Sequence, residues 1–133
     1  AAQLLVNLGN MHTLAFHIHR GRVLGFMEHH TGFLTSEKLD DFLARFIRGR
    51  LPHDEIFQDM GHGVLYVGDS AQAGKPFVSV TGPRGRLMAR SPLRPYFAAP
   101  HGDMMLAGCF GLAAGFAHRF PRWREEIDHA LAA

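Results

Sequence analysis

The first residues that could do chemistry form a strand–turn–strand pattern near the start of the chain. An apolar segment, 4–8, leads into Gly9 and Asn10, and an alternating segment begins at His12. Such turns expose backbone N–H groups that can surround a phosphate, and the Thr13 hydroxyl offers another donor. The same pattern is also typical of an ordinary hairpin with a Gly-Asn turn. The candidate phosphate-binding residues are Gly9, Asn10, Met11, His12 and Thr13.

The chain also contains ten histidines, which are a second source of chemistry. His17 and His19 share one face of a predicted strand, because side chains two residues apart point the same way. Zinc and iron take imidazole and carboxylate ligands, so one hypothesis is a His/carboxylate metal site. The alternative is that these are surface or hydrogen-bonded structural histidines. The residues of the metal hypothesis are His17, His19, Glu28 and His30, and the further polar candidates are His29 and His62.

Charged residues in glycine-containing loops form a third group. Asp103 follows a glycine, and an acid near a phosphate can hold Mg²⁺ through water, although aspartate also favours turns. A glycine-rich turn at 82–85 contains Arg84, which could meet phosphate charge or could simply be solvated. The sequence contains no P-loop, no H-E-x-x-H motif and no serine nucleophile elbow. These loops therefore supply further candidate residues for binding a phosphorylated ligand, but they do not identify a reaction.

The elements that must position these residues follow from hydrophobic periodicity. Apolar segments predict five strands, of which the first three are joined by short turns and are antiparallel. An apolar stripe at helical spacing predicts an amphipathic helix that Thr35 or Ser36 caps. The expected fold class is mixed α/β, with a five-stranded mixed sheet that opens with three antiparallel strands and is flanked by helices. The predicted strands are 4–8, 12–19, 23–28, 64–67 and 77–80; helices are predicted near 36–47, over 103–118 and after Pro121, and a flexible loop at 61–63.

Length and composition limit the class of protein. A chain of 133 residues with 47% hydrophobic residues can form one domain with a core. A net charge of +2 with dispersed basic residues argues against dedicated nucleic-acid binding. No apolar segment reaches the roughly 20 residues that span a bilayer, and a single cysteine, Cys109, fits a reducing compartment. We therefore expect a cytoplasmic protein with no membrane partner and, because the chain does not begin with Met, one that is part of a longer protein.

The order of these motifs resembles the second lobe of the actin-like ATPase superfamily, which includes sugar kinases, Hsp70 chaperones and actin. That ribonuclease H-like lobe begins with three antiparallel strands, and its first hairpin, typically Asp-x-Gly-x-x-x-Thr, holds phosphate; Asn7–Thr13 is similar. A glycine-rich turn that touches adenosine resembles Val78–Gly85, and a glycine- and alanine-rich helix resembles Met104–Gly115. The resemblance implies that the base or ribose is lined by Gly82 and Gly85 and that metal or sugar is oriented by Asp103.

Several segments also resemble an uncharacterised prokaryotic family whose members carry the label "putative pyruvate formate-lyase-activating enzyme". These segments are Asn7–Thr13, Glu28–Gly32, Gly61–Gly63 and Gly102–Leu106. The label implies radical chemistry on an iron–sulfur cluster, which needs closely spaced cysteines. Because this chain has one cysteine, we expect no iron–sulfur cluster.

The actin-like resemblance implies ATP or ADP with Mg²⁺ as the cofactor and an N-terminal lobe as a missing partner, because nucleotide in that superfamily lies between two lobes. Asn7 stands where that superfamily has Asp, so one electrostatic contact to Mg²⁺ is lost and the isolated lobe is expected to be inactive. The predicted function is a single actin-like lobe, 1–133, that binds a nucleotide or phosphorylated ligand through 7–13. We expect this lobe to be the C-terminal part of a longer protein. In place of the Asp, polar or acid–base contacts would come from His12, His29, His30 and His62. The alternatives are a His/carboxylate metal protein and a non-catalytic assembly module that forms homo-oligomers.

Overall fold

Six strands form one mixed sheet in the computed structural model of the protein, which describes residues 1–132. The alternation of apolar residues in the first three segments produces three antiparallel strands joined by short turns, as predicted. The strands are β1 (Ala2–Leu8), β2 (His12–His19), β3 (Arg22–His30), β4 (Gly61–Tyr66), β5 (Phe77–Thr81) and β6 (Tyr96–Phe97). Their order across the sheet is β4-β3-β2-β1-β5-β6.

Two features of the sheet differ from the prediction. The prediction of five strands was wrong, because β6 adds a sixth; its two residues are too few to show a period-two pattern. The segment 61–63, predicted as a flexible loop, is the start of β4 and pairs with β3. Glycine is depleted in strands, so Gly61 and Gly63 weaken the sequence signal for the start of β4.

One face of the sheet, called here the covered face, packs with α1 (Ser36–Phe46) and α2 (His53–Gln58) in a shared core. The Thr35 hydroxyl accepts a hydrogen bond from the Lys38 backbone N–H at 3.2 Å and so caps α1, as predicted. Burial of each leucine contributes roughly 1.5–3 kcal/mol, which fixes the apolar stripe of α1 against the sheet. The core leucines and valine shared by β1 and α1 are Leu4, Val6, Leu8, Leu39 and Leu43.

The opposite face, called here the open face, carries the residues that alternate with the core. Asn7 on β1 lies opposite Leu14 on β2, and Leu14 lies opposite Glu28 on β3. His12 and His30 are paired in the same ladder, two residues further along each strand. Because a register shift of one residue would move every side chain to the other face, this pairing decides which candidate residues share a side.

The chain divides into two compact units, of which the first is Ala1–Phe97 and holds the sheet. The second unit contains α3 (Ala107–Arg119) and α4 (Arg124–Ala132), and a short 3₁₀ turn begins at Pro121 between them. The described chain is thus a mixed α/β protein with four α-helices. Among the residues described, no helix combines the length and apolar character needed to cross a membrane.

Candidate functional site

Two turns predicted to bind a phosphorylated ligand lie side by side at one edge of the sheet. β1 and β5 are parallel neighbours, so the turn after each strand leaves the same edge. The Arg84 backbone N–H donates to the Leu8 carbonyl at 2.9 Å. Gly82 has a φ of +99°, and a Cβ there would lie 2.5 Å from that same carbonyl oxygen. We call the turn Gly9–Met11 and the turn 82–85 the paired turns.

The hairpin turn after β1 is closed by one hydrogen bond. The Gly9 N–H donates to the His12 carbonyl at 3.0 Å, and a Cβ on Gly9 would lie 2.7 Å from that oxygen. Glycine is therefore required by the close approach of two backbone segments, since its φ is not positive. The backbone N–H groups of the exposed residues Asn10 and Met11 have no hydrogen-bond partner among the described residues.

Thr13 and Thr31 support this turn from the covered face. Both side chains are fully buried, and their hydroxyls are hydrogen-bonded to each other at 2.9 Å. The Thr31 N–H also donates to the Met11 carbonyl at 2.8 Å. The turn is therefore anchored to the end of β3. A direct bond from the Thr13 hydroxyl to phosphate stays a prediction, and it needs an opening to this side chain, which has no exposed surface.

The remaining residues of the phosphate and nucleotide prediction occupy different places. The amide oxygen of Asn7 lies 2.6 Å from the position of a Cβ on Gly82, so Asn7 borders the paired turns. A Cβ on Gly85 would meet only ordinary contacts, the nearest with Phe97 at 3.6 Å. Asp103 lies in the second unit, where its carboxylate accepts a hydrogen bond from the Met105 N–H at 2.7 Å, a typical aspartate turn.

Three histidines meet at the end of the open face, and we call them the histidine triad: His12, His30 and His62. One ring nitrogen from each lies within 4.8 Å of the others, and Nε2 of His30 lies 3.1 Å from Nε2 of His62. His12 and His62 are exposed, and His30 is half-buried. They come from β2, β3 and β4, which are consecutive strands across the sheet.

The backbone of β4 is what brings His62 into the triad. Gly61 pairs with His29 and Gly63 pairs with Glu28, so His62 is an extra residue in the ladder, a β-bulge. The Glu28 carboxylate lies 4.0 Å from Nδ1 of His62. All three histidines are candidates from the sequence, but the prediction of a loop at His62 was wrong, because the glycines on either side mask the strand character of the segment.

A hydrogen bond fixes which nitrogen of His30 carries the proton. Nδ1 of His30 lies 2.7 Å from the Met60 carbonyl oxygen. A carbonyl can only accept, so Nδ1 must be the donor, and in the neutral ring Nε2 then carries the lone pair. That lone pair points toward His62. A cavity of about 300 Å³ adjoins the triad, and its lining includes Glu28, His62, Phe26 and Leu65.

The four residues of the metal hypothesis do not form one cluster. His17 is fully buried on the covered face, whereas Glu28 and His30 belong to the open face. Neither ring nitrogen of His17 has a hydrogen-bond partner among the described residues. Burial, together with a smaller contribution from the charge of His19, lowers the pKa of His17. The ring packs edge-on against Phe46, so His17 is part of the core.

His29 is a buried structural residue rather than a member of the triad. It has no exposed surface, and its Nδ1 and Nε2 lie 3.0 Å from the His30 carbonyl and 3.0 Å from the Asp59 carboxylate. Lys38 donates to the same carboxylate at 2.8 Å. Burial acts to raise the pKa of Asp59, but the hydrogen bonds and charges of Lys38 and His29 outweigh it, and the pKa is lowered. Asp59 therefore connects α1, β3 and the segment that carries Met60.

Comparison with known proteins identifies a family over most of the chain. The family model described as "Putative pyruvate format-lyase activating enzyme (DUF1786)" matches residues 1–87. This range contains the paired turns, the histidine triad and the network around Asp59. Searches of curated proteins and of solved structures gave no match. The match covers more than half of the chain and confirms the resemblance to the uncharacterised prokaryotic family, whereas the actin-like resemblance stays a prediction. The protein belongs to the family described as "Putative pyruvate format-lyase activating enzyme (DUF1786)".

Proposed function

We propose that the first unit is an actin-like lobe that binds a nucleotide or another phosphorylated ligand at the paired turns. The observation that carries this proposal is the parallel pairing of β1 with β5. It brings the candidate phosphate hairpin next to the candidate nucleotide turn, although some 70 residues separate them in the chain. The contact is direct, because the Leu8 carbonyl touches Gly82 and accepts from the Arg84 N–H.

The chemistry of the paired turns suits an anion. Unpartnered, exposed N–H groups at Asn10 and Met11 are donors that a phosphate oxygen can accept from. Arg84 is an exposed cation on the neighbouring turn, with its backbone fixed to β1. Asn7 carries no charge, so no carboxylate at this position repels a phosphate. The ligand is therefore expected to bind without an absolute requirement for Mg²⁺.

The other parts of this proposal come from the actin-like resemblance. Gly82 and Gly85 would line the base or ribose. Nucleotide in that superfamily lies between two lobes, so a second, N-terminal lobe would complete the site. We expect this chain alone to bind ligand weakly and to hydrolyse no ATP, because Asn7 replaces the usual acid.

A thermal-shift experiment tests the proposal. The protein is heated with ATP, ADP or inorganic phosphate, each with and without Mg²⁺. A ligand present at a hundredfold excess over its dissociation constant stabilises the folded state by about 2.7 kcal/mol, which is a shift of several degrees for a protein of this size. We expect such a shift with the nucleotides. Its absence with every ligand would overturn the proposal.

Charge reversal at two neighbouring arginines provides the matched control. Arg84→Glu places a negative charge beside the proposed phosphate, and Arg86→Glu makes the same change two residues away on a side chain that is also exposed. We expect Arg84→Glu to remove the nucleotide shift and Arg86→Glu to retain most of it. Equal losses would indicate attraction by net charge rather than a site at the paired turns.

A further inference from the structure

We propose that the histidine triad of His12, His30 and His62 binds a divalent transition-metal ion, with Zn²⁺ as the ion to test. The triad differs from the metal hypothesis drawn from the sequence, which included the buried His17. Its ligands are side chains of the open face, and its test uses no nucleotide.

The spacing of the ring nitrogens fits a shared ion. Zinc–imidazole bonds of 2.0–2.1 Å in tetrahedral geometry separate two ligand nitrogens by about 3.3 Å. Nε2 of His30 and Nε2 of His62 are 3.1 Å apart, which is close to that value without any movement. The exposed His12 adds a third, since one ring nitrogen from each of the three histidines lies within 4.8 Å of the others. Rotation of the exposed His12 side chain that moves its ring nitrogen by up to about 1.5 Å therefore completes a three-nitrogen set.

The polar groups around the triad orient the lone pairs of the imidazole rings as a metal ion requires. A metal-binding histidine typically donates its other ring N–H to a carbonyl or a carboxylate. His30 does so through Nδ1 to the Met60 carbonyl at 2.7 Å. His62 turns Nδ1 toward the Glu28 carboxylate at 4.0 Å, and with its proton on that nitrogen its Nε2 also carries a lone pair. Two lone pairs then face each other at 3.1 Å, an arrangement that a cation between them stabilises.

The competing explanation is a hydrogen bond between the two rings. If Nε2 of His62 carried the proton, it could donate to Nε2 of His30. The lone pair on Nδ1 of His62 would then face the negative Glu28 carboxylate, which is the less favourable orientation. The surroundings of the pair therefore favour the metal-binding tautomers of both rings.

The donor set also selects the class of ion. Imidazole nitrogen suits zinc, copper, nickel and iron, whereas Mg²⁺ and Ca²⁺ take oxygen ligands. Three protein ligands leave a fourth position for water or a ligand oxygen, which is the arrangement of catalytic rather than structural zinc sites. The adjoining cavity of about 300 Å³ shares Glu28 and His62 with the cluster and has apolar walls at Phe26 and Leu65. It gives a small molecule room beside the ion.

Metal binding to protein without an affinity tag tests the proposal directly. The protein is stripped of metal with a chelator and titrated with Zn²⁺ by competition with a chromogenic chelator. We expect one tightly bound ion per chain. His62→Ala and His12→Ala should each weaken binding at least tenfold, and Glu28→Gln should weaken it less. His129→Ala, an exposed histidine on α4, is the matched control and should leave the affinity unchanged.

A second measurement guards against nonspecific binding to a chain with ten histidines. Co²⁺ in a tetrahedral site of nitrogen ligands gives visible absorption, which we expect in the wild type and in His129→Ala but not in His62→Ala. Binding at much less than one ion per chain, or equal affinity in His62→Ala and His129→Ala, would overturn the proposal. Circular dichroism of each variant, compared with the wild type, checks that the variant is folded. No nucleotide is present, so these results do not depend on the fate of the paired turns.

Discussion

Replacing Asp59 with alanine removes a residue that links the end of α2 to α1 and β3. The Asp59 carboxylate accepts from Nε2 of His29 at 3.0 Å and from Nζ of Lys38 at 2.8 Å. The next residue, Met60, has a φ of +67° and supplies the carbonyl bound by His30. Asp59→Ala therefore tests both the stability of the fold and the placement of the triad.

The size of the effect follows from the burial of the two partners. His29 has an exposed fraction of 0%, so its Nε2–H would be left without an acceptor, at a cost of roughly 1–3 kcal/mol. Lys38 is about one-third exposed, and loss of its ion pair costs only about 0.2–1 kcal/mol. We expect the free energy of unfolding to fall by about 2 kcal/mol. In a unit of this length each kcal/mol changes Tm by roughly 4–8 °C, so Tm should fall by roughly 8–16 °C.

Urea unfolding followed by circular dichroism measures this change. Asp59→Asn retains an oxygen acceptor for His29 and should lose about half as much stability as Asp59→Ala. Asp54→Ala, at an exposed acid on α2, is the control and should change the free energy of unfolding by less than about 1 kcal/mol. A value for Asp59→Ala within about 0.5 kcal/mol of the wild type would refute the reasoning.

The same contacts predict a dependence on pH with a definite sign. The pKa of Asp59 is lower in the folded protein than its ordinary value, so the unfolded state binds the proton first as pH falls. Its stabilising contribution is complete above the ordinary pKa of about 3.9 and is lost as pH falls through the lower, folded value. The difference in stability between wild type and Asp59→Ala should therefore shrink in acid, below about pH 4.

Two further predictions concern residues with unusual surroundings. His17→Leu should raise the free energy of unfolding by about 1 kcal/mol, because it removes two unpartnered ring nitrogens from the core. The pKa of His17 is lowered in the folded protein, so the wild type loses stability as pH falls below 6.5 and the advantage of the leucine variant should grow. Urea titrations at pH 7.5 and pH 5.5 would measure this difference. Gly82→Ala should cost at least about 2 kcal/mol, because of its positive φ and the 2.5 Å approach to the Leu8 oxygen, whereas Gly85→Ala should be nearly neutral. Thermal unfolding compares the two glycine variants directly, and equal losses would contradict the steric argument.

Much of the first unit could be predicted from the sequence, because its elements have strong local patterns. The alternation in β2 and the stripe of α1 are long enough to specify type and face. The hydroxyl of Thr35 marks the start of α1. β4 and β6 were harder for physical reasons, since glycine weakens the strand signal of one and the other contains only two residues.

The candidate site was only partly predictable, because its residues come from distant strands. The sequence named His12, His30 and His62, but nothing in their spacing shows that they meet. Their meeting depends on the register of β3 with β2 and on the extra residue in β4. Conversely, His17 and His19 looked like a ligand pair from their spacing, and only the position of α1 shows that His17 belongs to the core.

The extra residue in β4 has a consequence for how the triad can be gained or lost. His62 has no partner in the ladder, and the pairs on either side of it, Gly61 with His29 and Gly63 with Glu28, are already formed. Deleting this one residue would restore a continuous ladder while removing the imidazole. The ability to assemble three histidines is thus encoded in the length of a strand as well as in the identity of a residue. Among relatives of this chain, a gap of a single residue between the two glycines would distinguish proteins without the triad from those that carry it.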